Sequence, residues 1–200
     1  MEWWALHYIL FLGTYAGASV ALPLLWTTKP PSIGRDQTYV LVGYNLFLTA
    51  LAAPLCPLSS NDDASWVSWA WKVPAAAVLA DFVFGVLHAA CHLPFLYKHF
   101  HCVHHRLVVP EAWASFYAHP LEHLGVNLTT TIVVANVLSL SHTQAATFVV
   151  VGTWFTCTSH CVRVDGVKEH GNHHALLRVN YGSFPFAFDR LLGSYFTNTK

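Results

Sequence analysis

The chain has 200 residues, of which 54% are hydrophobic and 10% are charged. Because an ordinary soluble domain has roughly 25% charged residues, this composition favours a membrane protein. Ten basic residues balance ten acidic ones, so nucleic-acid binding through a basic surface is excluded and we expect no nucleic-acid partner.

Apolar segments of membrane length follow one another along the chain. The first, Trp3 to Trp26, contains no formal charge, and about 20 apolar residues are enough for a helix to cross the hydrocarbon. Three tryptophans (Trp66, Trp69 and Trp71) precede another such segment and resemble an interfacial aromatic belt. The further candidate helices are residues 38–58 and 73–97, and a hairpin of 124–140 and 145–159 that turns at 141–144.

The sequence therefore predicts an all-α fold, an integral membrane helical bundle of about four to five apolar helices. Transmembrane helices form its N-terminal part, residues 1–72, and residues 73–200 carry the histidine motifs within the same integrated domain.

The basic residues predict which ends of the helices face the cytosol. If the third helix ends in the cytosol near Lys98, the positive-inside rule is followed by Lys29 and Arg35 and by the basic C-terminal part, but not by Lys72. The Asn61–Asp63 loop and the turn at 141–144 then lie on the opposite side. This topology places the histidine clusters on the cytosolic face and His142 across the membrane, so His142 is excluded from the site.

Most of the fourteen histidines fall into spaced clusters. Residues three or four apart share a helix face, so three same-face sets are predicted: His88 with His92; His101 with His104 and His105; and His170 with His173 and His174. Neutral imidazoles that converge form a metal-binding surface. Eight ligands exceed the roughly four that zinc takes and the six of an octahedral metal, so two metals are predicted. His160 is a candidate ninth ligand and His119 a further one, whereas His7 and His99 are expected to be interfacial or solvated.

Other classes of protein are open on the residues alone. His119, Glu122 and His123 form H-x-x-E-H, the pattern of a zinc-dependent hydrolase in which the glutamate is the general base. A metal-handling membrane protein also gathers histidines, but its ligands should lie in the middle of the helices rather than at their ends. The five cysteines have an odd count and no C-x-x-C pair, which argues against a disulfide framework and a thiolate zinc site.

Taken together, these motifs resemble the fatty acid hydroxylase/sterol desaturase superfamily, over a stretch from about Asp81 to Tyr195. Asp81 lies seven residues before His88, as in the family's aspartate-then-histidine helix, and L-Y-K-H-F-H-C-V-H-H resembles its Y-K-x-x-H-x-x-H-H. A-H-P-L-E at 118–122 is similar to sterol C4-methyl oxidases, and H-G-N-H-H followed by N-Y-G-S-F and F-D-R-L-L-G-S-Y is similar to the ending of sterol C5-desaturases. Ala89 stands where the family usually has arginine, and Gly85 and Val86 stand where it has aromatic residues, which predicts a less bulky stretch before His88.

The resemblance implies a membrane-bound non-haem di-iron oxygenase that hydroxylates or desaturates a C–H bond of a sterol or fatty-acyl lipid with O2. Two iron ions are the implied cofactors, and the histidines above are the implied ligands. Because the chain has no glycine-rich nucleotide motif, electrons from NAD(P)H are expected to arrive through cytochrome b5 or a similar carrier. The implied location is the endoplasmic reticulum, with the histidine clusters facing the cytosol.

Overall fold

The computed structural model describes residues 3–25, 35–55, 65–161 and 169–197, and the prediction of an all-α fold is confirmed for them. The α-helices are α1 (Trp3–Leu25), α2 (Arg35–Ala52), α3 (Trp66–Cys91), α4 (Pro94–Leu96), α5 (Pro120–Glu122), α6 (Thr129–Val137), α7 (His142–Ser159), α8 (Glu169–Leu176) and α9 (Ala187–Leu192). Single π-helical turns span Tyr97–His101 and His123–Leu128. Short 3-10 turns span Ala53–Leu55, His104–Arg106 and Ala112–Ala114.

Two of the described helices, α1 with 23 residues and α3 with 26, are long and apolar enough to cross a membrane. The bounds predicted for the third helix, 73–97, were wrong. The helix begins at Trp66, because the Ser65 side chain caps it by accepting a hydrogen bond from the Ser68 N–H. It ends at Cys91, shortly before Leu93, whose extended backbone is what a following proline favours. Trp66, Trp69 and Trp71 are therefore part of α3 rather than residues that precede it.

Where the structure describes them, the remaining predicted spans are largely helical but differ in their bounds. The hairpin turns at 138–141 instead of 141–144, and α7 begins at His142. Ser141 and Gln144 form a capping box, since the Ser141 side chain accepts from the Gln144 N–H and the Gln144 side chain accepts from the Ser141 N–H. The polar S-H-T-Q stretch thus starts a helix rather than forming the turn. A total of four to five membrane helices stays a prediction.

The long helices are arranged so that α3 and α7 end at the same end of the bundle. Trp3 of α1 stacks on His142 of α7 with ring centroids 4.7 Å apart, and Leu22 packs with Cys157 near the opposite ends of these helices. The first turns of α3 and α7 also meet, because Gln144 Nε2 donates to Ser68 Oγ over 3.0 Å. The last turns of α3 and α7 therefore lie together, far from His142.

Residues 107–118, which contain only the short 3-10 turn Ala112–Ala114, pack against α1 and α2 and are mostly buried. Phe116 packs against Phe11 of α1 in a core that also includes Val42 of α2. Asn45 Nδ2 donates to the carbonyls of Phe116 and Ala118 over 2.8 and 2.9 Å, so backbone acceptors without a helical partner are satisfied inside the bundle. The N-terminal helices thus hold the backbone that leads from the first histidine motif to Glu122.

Several residues used to predict the topology lie outside the described residues, namely Lys29, Asn61–Asp63 and, from the basic C-terminal part, Arg163, Lys168 and Lys200. The sides of the membrane to which the two ends of the bundle face stay a prediction. The division at residue 72 also stays a prediction. Helix α1, in the N-terminal part, packs along α7, in the part that carries the histidine motifs.

Candidate metal centre

Nine histidines come together where α3 and α7 end, in two adjacent groups. Group one consists of His88, His92, His101, His105 and His173, and group two of His104, His160, His170 and His174. Within each group the candidate ligand atoms lie within 4.8 Å of one another. The groups are neighbours, since the rings of His105 and His174 have centroids 4.9 Å apart.

Each H-x-x-H-H motif contributes to both groups, so the predicted same-face sets were wrong in detail. Positions four apart stay together, which places His101 with His105 in group one and His170 with His174 in group two. The middle histidine of each motif, His104 or His173, belongs to the other group. Consecutive helical residues point about 100° apart, so the two adjacent histidines of a motif cannot both face one metal. Each motif therefore supplies histidines to both groups, and we call this arrangement interlocked.

The spacing within group one fits an octahedral metal. The Nε2 atoms of His101, His92, His173 and His105 form a closed ring with successive distances of 3.0, 3.1, 3.1 and 2.9 Å, and His88 Nε2 lies 3.1 Å from His101 Nε2. Two nitrogens bound about 2.1 Å from one metal at right angles lie about 3.0 Å apart. The five nitrogens are thus spaced like neighbouring ligands of a single ion.

The protonation of two group-one rings explains why a cation is needed there. His88 Nδ1 donates to the Tyr181 carbonyl and His173 Nδ1 donates to the Val179 carbonyl, each over 2.7 Å. With its proton on Nδ1, a neutral imidazole presents only a lone pair at Nε2. Lone pairs that face one another at about 3 Å repel unless a cation lies between them. The donor set therefore fits a metal ion.

Group two likewise combines rings that are fixed by backbone carbonyls with ring nitrogens that have no hydrogen-bond partner. His104 Nδ1 donates to the Tyr117 carbonyl and His160 Nδ1 to the Thr156 carbonyl, both over 2.8 Å. The Nε2 atoms of His160, His170 and His174 are buried without a hydrogen-bond partner. Buried polar atoms are normally paired, so unpaired nitrogens that converge are ready ligands for a second ion.

Burial keeps the imidazoles neutral and so competent to bind metal. Desolvation is the largest cause that lowers the pKa of His92, His101 and His160, each to about 3. Nearby histidines lower the pKa of His92 and His160 further. Metal ligands must be deprotonated, so the folded protein presents these nitrogens as lone pairs at neutral pH.

Glu122 is a buried carboxylate beside the histidines. Its Oε1 lies 2.8 Å from His101 Nδ1. Desolvation raises the pKa of Glu122 to about 6, while the nearby His104 and His119 act in the opposite direction. A carboxylate on the outer nitrogen of a metal-bound histidine orients the ring and increases its basicity. The H-x-x-E-H pattern drew attention to Glu122, but its contact with His101 could not be seen from the sequence.

The structure leaves His119 and His123 outside both groups. The His119 ring caps α5 by accepting from the Leu121 N–H over 3.2 Å. His123 is buried with both nitrogens engaged, Nε2 with Thr49 Oγ1 at 2.8 Å and Nδ1 with Asn127 Nδ2 at 3.2 Å. A zinc-dependent hydrolase would need both rings free to face one ion, so this interpretation is not favoured.

The histidines predicted to lie apart from the site do so. His99 is exposed beside Phe95, with ring centroids 4.7 Å apart. His7 Nε2 lies 2.8 Å from the His142 carbonyl, at the opposite end of the bundle.

The acceptors that fix the rings were missed because they are backbone carbonyls, of Tyr117, Thr156, Val179 and Tyr181. The order of side chains in a sequence does not show which backbone carbonyls will accept hydrogen bonds from histidine rings. The stretch N-Y-G that follows the second motif was the available signal, since it contains Tyr181 and an adjacent glycine.

Comparison with known proteins gives matches for the part of the chain that carries these histidines. The model of the fatty acid hydroxylase family matches residues 73–194. A Delta(7)-sterol 5(6)-desaturase of Gibberella zeae is 31% identical over 132 residues, which is 62% of this chain and 38% of that protein. Sphinganine C4-monooxygenase 1 of Arabidopsis thaliana is 34% identical over 115 residues, which is 50% of this chain and 44% of that protein. The chain thus spans less than half the length of either relative, and no solved structure matches it.

Proposed function

Because the chain belongs to the fatty acid hydroxylase family, we propose that it is a membrane-bound, iron-dependent oxidoreductase that hydroxylates or desaturates a lipid. The observation that carries this proposal is the convergence of nine neutral histidines in two adjacent groups, five in one and four in the other. The relatives named above are a sterol desaturase and a sphinganine monooxygenase. A sterol or a long-chain lipid, either a fatty-acyl lipid or a sphingoid base, is the proposed substrate class.

The proposed cofactors are two iron ions, one for each group of histidines. Imidazole nitrogen is a suitable ligand for iron, and the spacing in group one is that of an octahedral ligand set. Bound iron supplies the activation of dioxygen that an attack on an unactivated C–H bond requires. His119, which caps α5, is not part of this proposed ligand set.

The residues of the chain contribute positioning and a dry environment. The carbonyls of Tyr181 and Val179 hold the rings of His88 and His173 so that both Nε2 atoms face the same point. Eight of the nine rings are buried, and His92 is partly buried. Burial excludes bulk water, which both strengthens electrostatic interactions and limits side reactions.

The proposed path of the substrate follows from the place of the site in the fold. His88 lies in the last turn of α3, one of the two helices long enough to cross the membrane. A site at the end of such a helix lies near the boundary of the bilayer. A lipid could then reach it without leaving the membrane, and an electron carrier could reach it from the aqueous side. We propose cytochrome b5 or a similar donor, with the histidine end facing the cytosol at the endoplasmic reticulum.

The experiment is lipid and sterol profiling by mass spectrometry of cells that express the chain or a variant. Wild type should convert a membrane lipid into a product of altered mass. The product should be about 16 Da heavier if one oxygen atom is added by hydroxylation, or about 2 Da lighter if two hydrogen atoms are removed by desaturation. His105→Ala should abolish that product, and His99→Ala, which replaces an exposed histidine outside both groups, should retain it. Equal product from His105→Ala and wild type would contradict the proposed function.

A further inference from the structure

The segment between α8 and α9 carries both carbonyls that orient His88 and His173. These rings come from separate elements, α3 and α8, yet their Nδ1 atoms donate to Tyr181 and Val179, which are two residues apart. A small displacement of this segment would therefore move two ligands of group one together. What holds the segment in place decides how well group one is formed.

Two buried aspartates hold this segment by its backbone N–H groups. Asp189 Oδ1 accepts from the Tyr181 N–H over 2.8 Å, and its Oδ2 accepts from the Gly182 N–H over 2.7 Å. Asp81 of α3 accepts from the N–H groups of Ser183 and Phe188 over 2.9 and 3.1 Å. Both aspartates are fully buried, with 0% of their surface exposed. Each aspartate thus accepts two backbone hydrogen bonds, and these four bonds attach the segment and the start of α9.

Gly182 lies at the point where the two carboxylates approach the same stretch of backbone. A Cβ atom at this position would overlap Asp81 Oδ1 and would lie 2.9 Å from Asp189 Oδ2. The neighbours are carboxylate oxygens already committed to backbone N–H groups, so they cannot move aside without losing those bonds. The attachment therefore requires a residue without a side chain between the aspartates.

We propose that Asp189, together with Asp81, is a positioning residue for group one: it fixes the Val179–Tyr181 backbone, whose carbonyls hold His88 and His173 in the Nδ1–H form. The inference rests on the proposed function in that group one is taken to bind a metal. Neither aspartate belongs to the two histidine groups. They act on the rings through the backbone of residues 179–181. In metal sites generally, the groups that hydrogen-bond to the outer nitrogen of a metal-bound histidine orient that ring.

The test is an anaerobic titration of the full-length, metal-free chain in detergent with Co2+, in two backgrounds. In His174→Ala, which disables group two, Asp189→Asn should weaken Co2+ binding at group one by about 10- to 100-fold. In His105→Ala, which disables group one, Asp189→Asn should leave binding at group two unchanged within about threefold. Gly182→Ala should give the same selective loss without removing a charge.

Gln144→Ala is the matched control for a general loss of stability. It removes a buried hydrogen bond to Ser68 at the opposite end of the bundle, so it should lower the melting temperature and leave both Co2+ affinities unchanged. An equal effect of Asp189→Asn in the two backgrounds, or no effect in either, would overturn the positioning role. If wild type binds no Co2+, the proposed function fails as well; if it binds two ions that Asp189→Asn leaves unaffected, only the positioning role fails.

If the variants do not fold, the protonation of the His88 and His173 rings in wild type tests the inference. Nitrogen-15 spectra of the zinc-loaded, histidine-labelled chain should show His88 and His173 protonated at Nδ1, with slow exchange of that proton. Protonation of neither ring at Nδ1 would overturn the inference.

Discussion

Glu122 shows how one side chain can act on the metal centre without being a ligand. Its Oε1 lies 2.8 Å from the outer nitrogen of His101, a member of group one, and its charge also acts on His104 of group two. The carboxylate therefore acts on one ring of each group, by its contact with His101 and by its charge on His104. The hydrolase interpretation would instead make Glu122 a general base on a zinc-bound water, a role that the engaged His123 nitrogens do not support.

We expect Glu122→Gln to weaken metal binding at group one by about 10- to 100-fold, because His101 loses the carboxylate that orients it. The effect on lipid oxidation should be a partial loss, smaller than the complete loss expected from His105→Ala. The measurement is Co2+ affinity alongside product formation. His119→Ala is the control, since that ring is adjacent to Glu122 in the chain but caps α5; a larger loss from His119→Ala than from Glu122→Gln would contradict this account.

At the scale of the elements, the packing of α9 on α3 explains why Gly85 replaces an aromatic residue of the family pattern. The Phe188 ring of α9 lies against Gly85, and an added Cβ would be 2.5 Å from Phe188 Cδ1. Phe82 of α3 also meets Phe188 edge to face, with ring centroids 6.0 Å apart. The Phe188 ring of α9 thus fills the space beside α3 that the lack of a side chain at Gly85 leaves before His88.

Gly85→Ala should therefore destabilise the fold by about 1–3 kcal/mol, the usual cost of overpacking. The matched control is Gly13→Ala in α1, where a Cβ would meet nothing within 4 Å, and which should stabilise the helix by roughly 0.5–1 kcal/mol. Unfolding of the two variants in mixed micelles gives both free energies. Equal stability of the two variants would show that α9 does not pack on α3 as described.

The sequence predicted which segments are helical and which histidines come together. It did not predict where each helix begins and ends, or how the histidines divide between the two groups. Helical spacing placed His88 and His92 on one face of α3, and the length of the apolar segments placed His160 at the same end of the bundle, because hydrophobic length and periodicity are local signals. The start of α7 was misplaced because a capping box resembles a polar turn in composition. The exchange of His104 and His173 between groups depends on how α8 packs beside the first motif, which is a tertiary contact that no local pattern contains.

At the scale of the whole molecule, the buried histidines make the stability of the metal-free protein depend on pH. The pKa values of His92, His101 and His160 are lowered from 6.5 to about 3 in the folded state. Between these values the unfolded chain binds more protons than the folded one, so stability falls as the pH falls through this window. Glu122 acts in the opposite direction between its usual 4.5 and about 6, but one carboxyl does not offset three histidines.

We therefore expect the melting temperature of the metal-free chain to be several degrees lower at pH 5 than at pH 7.5, because the free energy of unfolding decreases as the pH falls. Thermal unfolding in detergent, followed by intrinsic tryptophan fluorescence, measures it. An unchanged or higher melting temperature at pH 5 would mean that the histidines are not buried as a neutral cluster.

The central claim is that the two interlocked groups bind two metal ions, and iron content tests it most directly. Purified chain, reconstituted anaerobically with ferrous iron and freed of excess metal, should hold about two ions per chain. His105→Ala and His174→Ala should each reduce this to about one, because each removes a ligand from a different group. His142→Ala, at the other end of the bundle, should leave it at about two. A wild-type content of about one, unchanged by His174→Ala, would contradict the two-metal account.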